Sequence, residues 1–431
     1  MDISRIRELI GFYENELTNN ILSFWLPRCI DRVNGGYFNC FDNEGKQLIS
    51  RDKYTWSQGR FVWMFSKLAT MNCGTFNKAQ REQFLTLAKV GRDFLEKHSL
   101  MCEKDWRCVF LMDETGKPKY VDGYKKLDMS IYADCFVIAG FAKYAEAADD
   151  KDSYEFCKKL YESAVSRVKT GEFSTLPYPL SPAYRAHGIP MIFSNVTREV
   201  YSAAEKFDKE YCLELQKNLD FFTDDILTHF VDENNVLHEI ITSDNRFVDN
   251  LLGQHANPGH TIEDMWFMID AADILMKPHY IPRVAAITKK AFEIGWDKEY
   301  GGLLHFCGVN GGEPVGSCQG VEDEPMLKQL IHGWSDKLWW VHSEALYTSL
   351  LCYQRTGDDE FLDIYKKVFD YTYEKFPNPD REIREWIQIL VRDGRPQNKV
   401  VALPVKDPYH ITRNYILIIE LLYNMAKYYQ A

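Results

Sequence analysis

No uninterrupted apolar run in these 431 residues approaches the roughly 20 needed to cross a bilayer. Met1-Asp2-Ile3-Ser4-Arg5 passes directly into a helical pattern without the apolar core of a signal peptide. Together these absences lead us to expect a cytoplasmic chain. A basic stripe is missing as well, and the formal net charge of -12 with a pI near 5.5 speaks against nucleic acid or an anionic membrane as partner, because phosphate binding needs clustered Lys and Arg. The 11 cysteines contain no C-x-x-C pair, so we expect reduced, mostly buried thiols and no zinc site. No phosphate-cradling Gly loop of recognisable type appears. Nor does any linker, charge block or low-complexity segment divide the chain, and one domain over residues 1–431 is expected.

What the chain has in quantity is apolar and aromatic material, 45% and 14% of residues, arranged mostly at helical period from Ile6, Ile10, Tyr13 and Leu17 onward. Short extended pieces closed by Gly-containing turns punctuate the helices. They lie at Tyr37 to Lys46, Trp106 to Gly116, Val236 to Arg246, Gly301 to Gly312 and Glu385 to Gly394. They recur at roughly 65- to 85-residue intervals, with one gap about twice as long, the signature of a repeat built from helix pairs. About twelve helices are predicted, among them 57–72, 80–98, 128–148, 189–205, 259–276, 336–355 and 408–428. Six pairs closing on themselves make an all-α (α/α)6 barrel with short β-hairpin connectors lining one mouth.

Four segments carry chemistry. In Asn257-Pro258-Gly259-His260-Thr261-Ile262-Glu263-Asp264-Met265-Trp266 a Pro-Gly turn enters a helix, and His260, Glu263 and Trp266 share a face near its electropositive start. Such a set suits proton transfer on an oxygen-rich ligand. Lys406-Asp407-Pro408-Tyr409-His410 is a second Pro turn with a His in its first helical turn. Trp56-Ser57-Gln58-Gly59-Arg60 places a guanidinium on an otherwise apolar face, either as an anchor for a sugar oxygen or oxyanion or as a buried ion pair. In Lys337-Leu338-Trp339-Trp340-Val341-His342-Ser343-Glu344, Trp340 and Glu344 are four apart and form an aromatic platform beside an acceptor, while Trp339 and His342 face elsewhere and read as packing. Asn195, one turn into another helix, is either a ligand amide or a core asparagine. His260, Glu263, Glu344 and His410 are all ligand types, but the order His-x-x-Glu and the lack of a second copy depart from helical di-metal sites, so no metal is expected.

At these segments the chain resembles the N-acylglucosamine 2-epimerase family, which includes cellobiose 2-epimerases and a bacterial aldose–ketose isomerase. The carrying strings are Trp-x-Gln-x-Arg at 56–60, Asn-Pro-Gly-His-Thr-Ile-Glu at 257–263, Lys-Leu-Trp-Trp-Val-His-x-Glu at 337–344 and Tyr-His-x-x-Arg at 409–413. The resemblance implies an (α/α)6 barrel, in agreement with the repeat count, and a cofactor-independent epimerase that inverts C2 through an enediolate. It implies His260 and His410 as acid/base pair, Arg60, Glu263 and Glu344 as assistants, and Trp266, Trp340, Asn195 and Trp56 against the sugar. His342 looks like the N-acylglucosamine branch, with N-acetylglucosamine and N-acetylmannosamine as substrates. An aldose–ketose isomerase, or a 2-epimerase of plain hexoses or disaccharides, is the alternative. A glycoside hydrolase and a non-catalytic binding module are more distant ones. Relatives often dimerise, which leaves a homodimer open. Three departures, Gln254, the 401–410 stretch and an insertion near Gly320 to Trp334, are expected close to the pocket mouth, where substrate choice would diverge.

Overall fold

In the computed structural model, which describes residues 1–401 and 403–428, thirteen α-helices longer than a single turn dominate. They are α1 (Ile3–Asn15), α2 (Thr55–Thr70), α3 (Lys78–His98), α4 (Ile131–Ala148), α5 (Lys151–Thr170), α6 (Gly188–Phe207), α7 (Cys212–Asp225), α8 (Pro258–Ile274), α9 (Tyr280–Gly295), α10 (Pro325–Gly333), α11 (Trp339–Thr356), α12 (Glu360–Lys375) and α13 (Tyr409–Tyr428). Six of them, α2, α4, α6, α8, α11 and α13, pack each on the next, and α13 packs back on α2. That closes an inner ring. Each inner helix is backed by one outer helix, α3, α5, α7, α9, α12 and α1 respectively. The result is the (α/α)6 barrel, with α10 as an extra helix inside the 320–334 insertion.

Sequence and position agree. The inner helices α4 and α8 are buried almost all round, as expected of helices between two layers, whereas outer helices such as α5 and α9 bury a single stripe. Where α2 crosses α4 the backbones nearly touch. A Cβ on Gly59 would lie 2.3 Å from the Phe136 carbonyl oxygen, and one on Gly140 would lie 2.6 Å from that of Gly59. Gly59→Ala is therefore expected to cost about 3 kcal/mol by forcing the two helices apart, read as a lowered urea midpoint at unchanged slope.

The extended connectors pair differently from simple hairpins. Residues just before an inner helix form a short antiparallel pair with the connector of the following unit. Lys53–Tyr54 pairs with Leu111–Met112, Tyr184–Ala186 with Ile240–Thr242, His255–Ala256 with Cys307–Gly308, and Lys337–Leu338 with Ile389–Leu390. Ser130 bridges Thr175, and Lys406 donates its backbone N–H to Asn39 at 2.9 Å. Only Leu100–Cys102 with Asp105–Cys108 is a local hairpin strand pair among the described residues. The physical reason is that these two- or three-residue strands are too short to hold themselves, and they persist where a helix start anchors them. All six inner-helix starts are thus clamped, and their first turns face one mouth.

Two units are built alike. Lys53 Nζ bonds Asp31 and the Gly35 carbonyl, while Gln58 Oε1 accepts from the Tyr37 N–H at 2.8 Å. Lys337 Nζ bonds Asp297 and the Gly301 carbonyl, while His342 Nε2 accepts from the Leu303 N–H at 3.0 Å. His342 is fully buried and holds a connector, as its reading as a packing residue anticipates.

Candidate active site

A cavity of about 1030 Å³ opens at that mouth and is lined by the first turns of all six inner helices. Asn257 caps α8 by accepting the His260 N–H at 3.1 Å, with Pro258 in the first turn, where a missing N–H costs nothing. Gly259 is required sterically, since a Cβ there would lie 2.5 Å from the Trp340 ring. The indole of Trp340 consequently lies between the two histidines, its centroid 5.4 Å from His260 and 5.6 Å from His410. The imidazoles flank α11 from the two neighbouring helices.

Both rings are held by a carboxylate at Nδ1. His260 Nδ1 meets Glu239 Oε1 at 2.9 Å, and His410 Nδ1 meets Glu344 Oε1 at 2.7 Å. With Nδ1–H donating, each Nε2 is left as the reactive nitrogen. His410 Nε2 lies 3.4 Å from Arg60 Nη2. Arg60 lines the cavity and pairs with Asp407 at 3.1 Å. Its guanidinium also stacks over Phe136 at 4.1 Å.

The electrostatic settings of the pair are opposed. Burial pushes His410 down to about 3, with Arg60 and Arg413 adding to the effect and Glu263 opposing it. Burial also works against charge on His260, but the Glu239 carboxylate outweighs it and holds that pKa above the ordinary histidine value. Near neutral pH the cavity therefore presents one neutral imidazole and one poised to carry a proton. This arrangement can remove a proton at one side of a flat carbon and deliver one at the other.

Several sequence expectations are corrected by the structure. Trp266 is fully buried and outside the cavity, donating its Nε1–H to Glu344 Oε2 at 2.9 Å. Residues three apart step back about 60° per interval on a helix, so two intervals carry Trp266 off the face that His260 presents. Glu344 is likewise buried away from the lining, and the acceptor expected beside Trp340 is used up by His410, Arg413 and Trp266. Trp339, expected to pack elsewhere, lines the cavity together with Trp340. Gln254 does not reach the lining and donates to the Val248 carbonyl. By contrast Val401, Leu403 and Val405 and, from the insertion, Met326 and Gln329 do form the wall. Trp56, Glu263 and Asn195 also line it, Asn195 while accepting from Arg198 at 3.0 Å.

Sequence reasoning assigned no role to Glu239, His187, Asp264, Asp407, Arg413 or His305, although Asp264, Asp407 and Arg413 stand in the segments it singled out. Arg413 Nη2 binds both Glu263 and Glu344, and its spacing of three from His410 was the available signal. Glu239 sat within an extended piece already noted, with nothing to link it to His260. Two clusters gather metal-type donors, His187/Glu239/His260 and Glu263/Glu344/His410. The second already holds the Arg413 guanidinium between its carboxylates. In the first, Asp264 and Glu239 overcome burial and raise His187 to about 9.

Comparison with known proteins bears on this geometry directly, because the model of the N-acylglucosamine 2-epimerase family matches residues 36–413. The chain belongs to that family. It is a carbohydrate epimerase of the isomerase class. It is 28% identical over 413 residues to bovine N-acylglucosamine 2-epimerase, covering 94% of this chain and 90% of that protein. It is 22% identical over 419 residues to the cellobiose 2-epimerase of Dictyoglomus turgidum, covering 94% and 96%. Among solved structures, a D-mannose isomerase superposes with a TM-score of 0.73 at 16% identity, over 95% of this chain and 97% of that one. This last likeness concerns the fold. No helix of the described residues is long and apolar enough to cross a membrane.

Proposed function

We propose that this epimerase inverts C2 of an open-chain aldose, with N-acetylglucosamine and N-acetylmannosamine as its pair of substrates. His410, neutral at rest, removes the C2 proton of one epimer, which the adjacent aldehyde acidifies. Arg60 and the amide-rich helix starts hold the enediolate charge, and His260 returns a proton to the other face. Glu344 and Glu239 orient the two rings, Arg413 and Glu263 fix Glu344 and His410, and Trp340, Trp56 and Asn195 contact the sugar. Trp266 acts through Glu344. The observation that carries this reading is the pair of imidazoles on either side of Trp340, each held at Nδ1 by a carboxylate and oppositely set in charge.

The acetamido sugar is favoured by the higher identity to the bovine N-acylglucosamine 2-epimerase than to the cellobiose 2-epimerase. His342 adds nothing to that choice, because it touches a backbone amide and no part of the cavity. Ketose formation is the second reading, since the same enediolate protonated at C1 gives a ketose and the D-mannose isomerase shares the fold. A glycoside hydrolase needs two carboxylates facing across a cleft. In the wall here Glu239, Glu263 and Asp407 are taken up by His260, Arg413 and Arg60 respectively, which argues against it.

Incubation in heavy water tests the proposal. The N-acetylglucosamine formed from N-acetylmannosamine is expected to carry deuterium at C2. Exchange confined to free hexoses or disaccharides would reassign the substrate, label at C1 of a ketose would favour the second reading, and no exchange in any of them would reject C2 chemistry.

A further inference from the structure

His260 is one corner of a closed circuit that the chemistry described so far does not use in full. Glu239 binds His260 through Oε1, and its other oxygen, Oε2, points toward Nδ1 of His187 at 3.7 Å. His187 Nε2 in turn meets Asp264 Oδ2 at 3.0 Å. Asp264 is four residues beyond His260 on α8, so the circuit begins and ends on one helix face. His187 and Asp264 are completely buried, and Glu239 is 4% exposed. Three of the polar atoms, His187 Nδ1, Glu239 Oε2 and Asp264 Oδ1, have no hydrogen-bond partner among the described residues. A buried imidazole and two carboxylates are costly to keep in a barrel wall unless their charges are matched.

The backbone fixes this circuit as firmly as the side chains do. His187 follows Ala186, and Glu239 precedes Ile240, the terminal pair of a two-stranded ladder. The His187 N–H donates to the Glu239 carbonyl at 2.9 Å. One short strand pair thereby delivers both residues to the start of α8.

We propose that His187 and Asp264 are positioning residues for the epimerase reaction, a buried cation and its counter-ion that hold the Glu239 carboxylate in place and so fix the tautomer and charge of His260. This rests on the reading of His260 as half of the acid/base pair. Asp264 keeps His187 protonated, and His187 shares the negative charge of Glu239 with His260. Without that competing cation, Glu239 acts on His260 alone and stabilises its charged form further. The other titratable groups facing His260 are Glu263 on its own helix and His305 on the connector, and His410 lies beyond Trp340.

The test is a pair of variants, His187→Gln and Asp264→Asn, read by NMR titration of a selectively labelled His260 side chain in the full-length protein. In His187→Gln the His260 pKa is expected to rise by about half a unit or more. In Asp264→Asn the lost carboxylate and the weaker hold on the His187 proton act in opposite directions at His260, so a smaller shift is expected there while His187 itself titrates at lower pH. With whichever sugar exchanges in heavy water, kcat should fall about tenfold at unchanged KM. For the epimer that His260 deprotonates, the acidic limb of kcat/KM should move to higher pH by the same amount as the titration, since His260 must be neutral to act as base on that epimer. An unchanged His260 pKa and tautomer in folded His187→Gln overturns the proposal, as does an unchanged His187 pKa in folded Asp264→Asn or an activity loss without movement of the limb. The titration needs no sugar, so failure of the substrate assignment leaves it standing, and failure of the titration leaves the substrate assignment standing.

Discussion

Replacing His410 by Asn is expected to lower kcat/KM for C2 inversion by about 10³-fold or more, while exchange of the C2 hydrogen survives in one epimer only. The variant keeps His260, which still reaches the face it served before. In heavy water the epimer presenting its C2 hydrogen to His260 should lose it and regain deuterium with retention. His260→Asn should give the mirror result, exchange in the other epimer alone. A single-base mechanism makes a different demand, since one variant would then abolish exchange in both epimers and the other would leave inversion nearly intact. Proton NMR of each purified epimer, incubated separately, distinguishes the two cases. Inversion within tenfold of the parent in either variant would reject the two-base scheme.

Arg413→Met carries the largest expected stability effect, a loss of about 3–5 kcal/mol. The side chain is 1% exposed, and Nη2 alone bonds Glu263 and Glu344 and lies 3.3 Å from His410 Nδ1. Methionine fills similar space but leaves two carboxylates with no cation between them. Removing one carboxylate as well, in Arg413→Met with Glu344→Gln, should recover a substantial part of the loss, because the pair is coupled through one nitrogen. Urea unfolding of the four proteins of this cycle measures the coupling. Additive losses would mean that the guanidinium contributes mainly through its stacking over Trp266 and Tyr409.

The barrel was legible in the sequence because its repeat is long-range but regular. Helix, turn and connector recur at an interval that a chain must fill with paired helices, and the seven helices specified fall within three residues of the observed ends. The histidines were legible for a local reason, since a Pro turn at Asn257 and again at Asp407 marks a helix start whose first turn is exposed to the mouth. The partners of those histidines were not. Glu239 reaches His260 from another unit, and nothing in the run His238-Glu239-Ile240 distinguishes it from a strand residue facing solvent. Glu344 and Trp266 misled for the converse reason. Their spacing correctly put them on inner helices, but depth within the ring, which decides between cavity wall and buried support, is set by packing among six helices.

The opposed settings of the two imidazoles have a kinetic consequence for the enzyme between turnovers. Under the proposed roles, one conversion leaves the proton on His410, whose surroundings disfavour it, and strips it from His260, whose carboxylate favours it. The emptied enzyme is then primed only for the reverse reaction. It must redistribute a proton before accepting the first epimer again. His260, with a third of its side chain open to the cavity, provides the route through water. At high flux this relaxation of the free enzyme becomes a step in its own right, and the two directions of a chemically symmetric reaction acquire different ceilings.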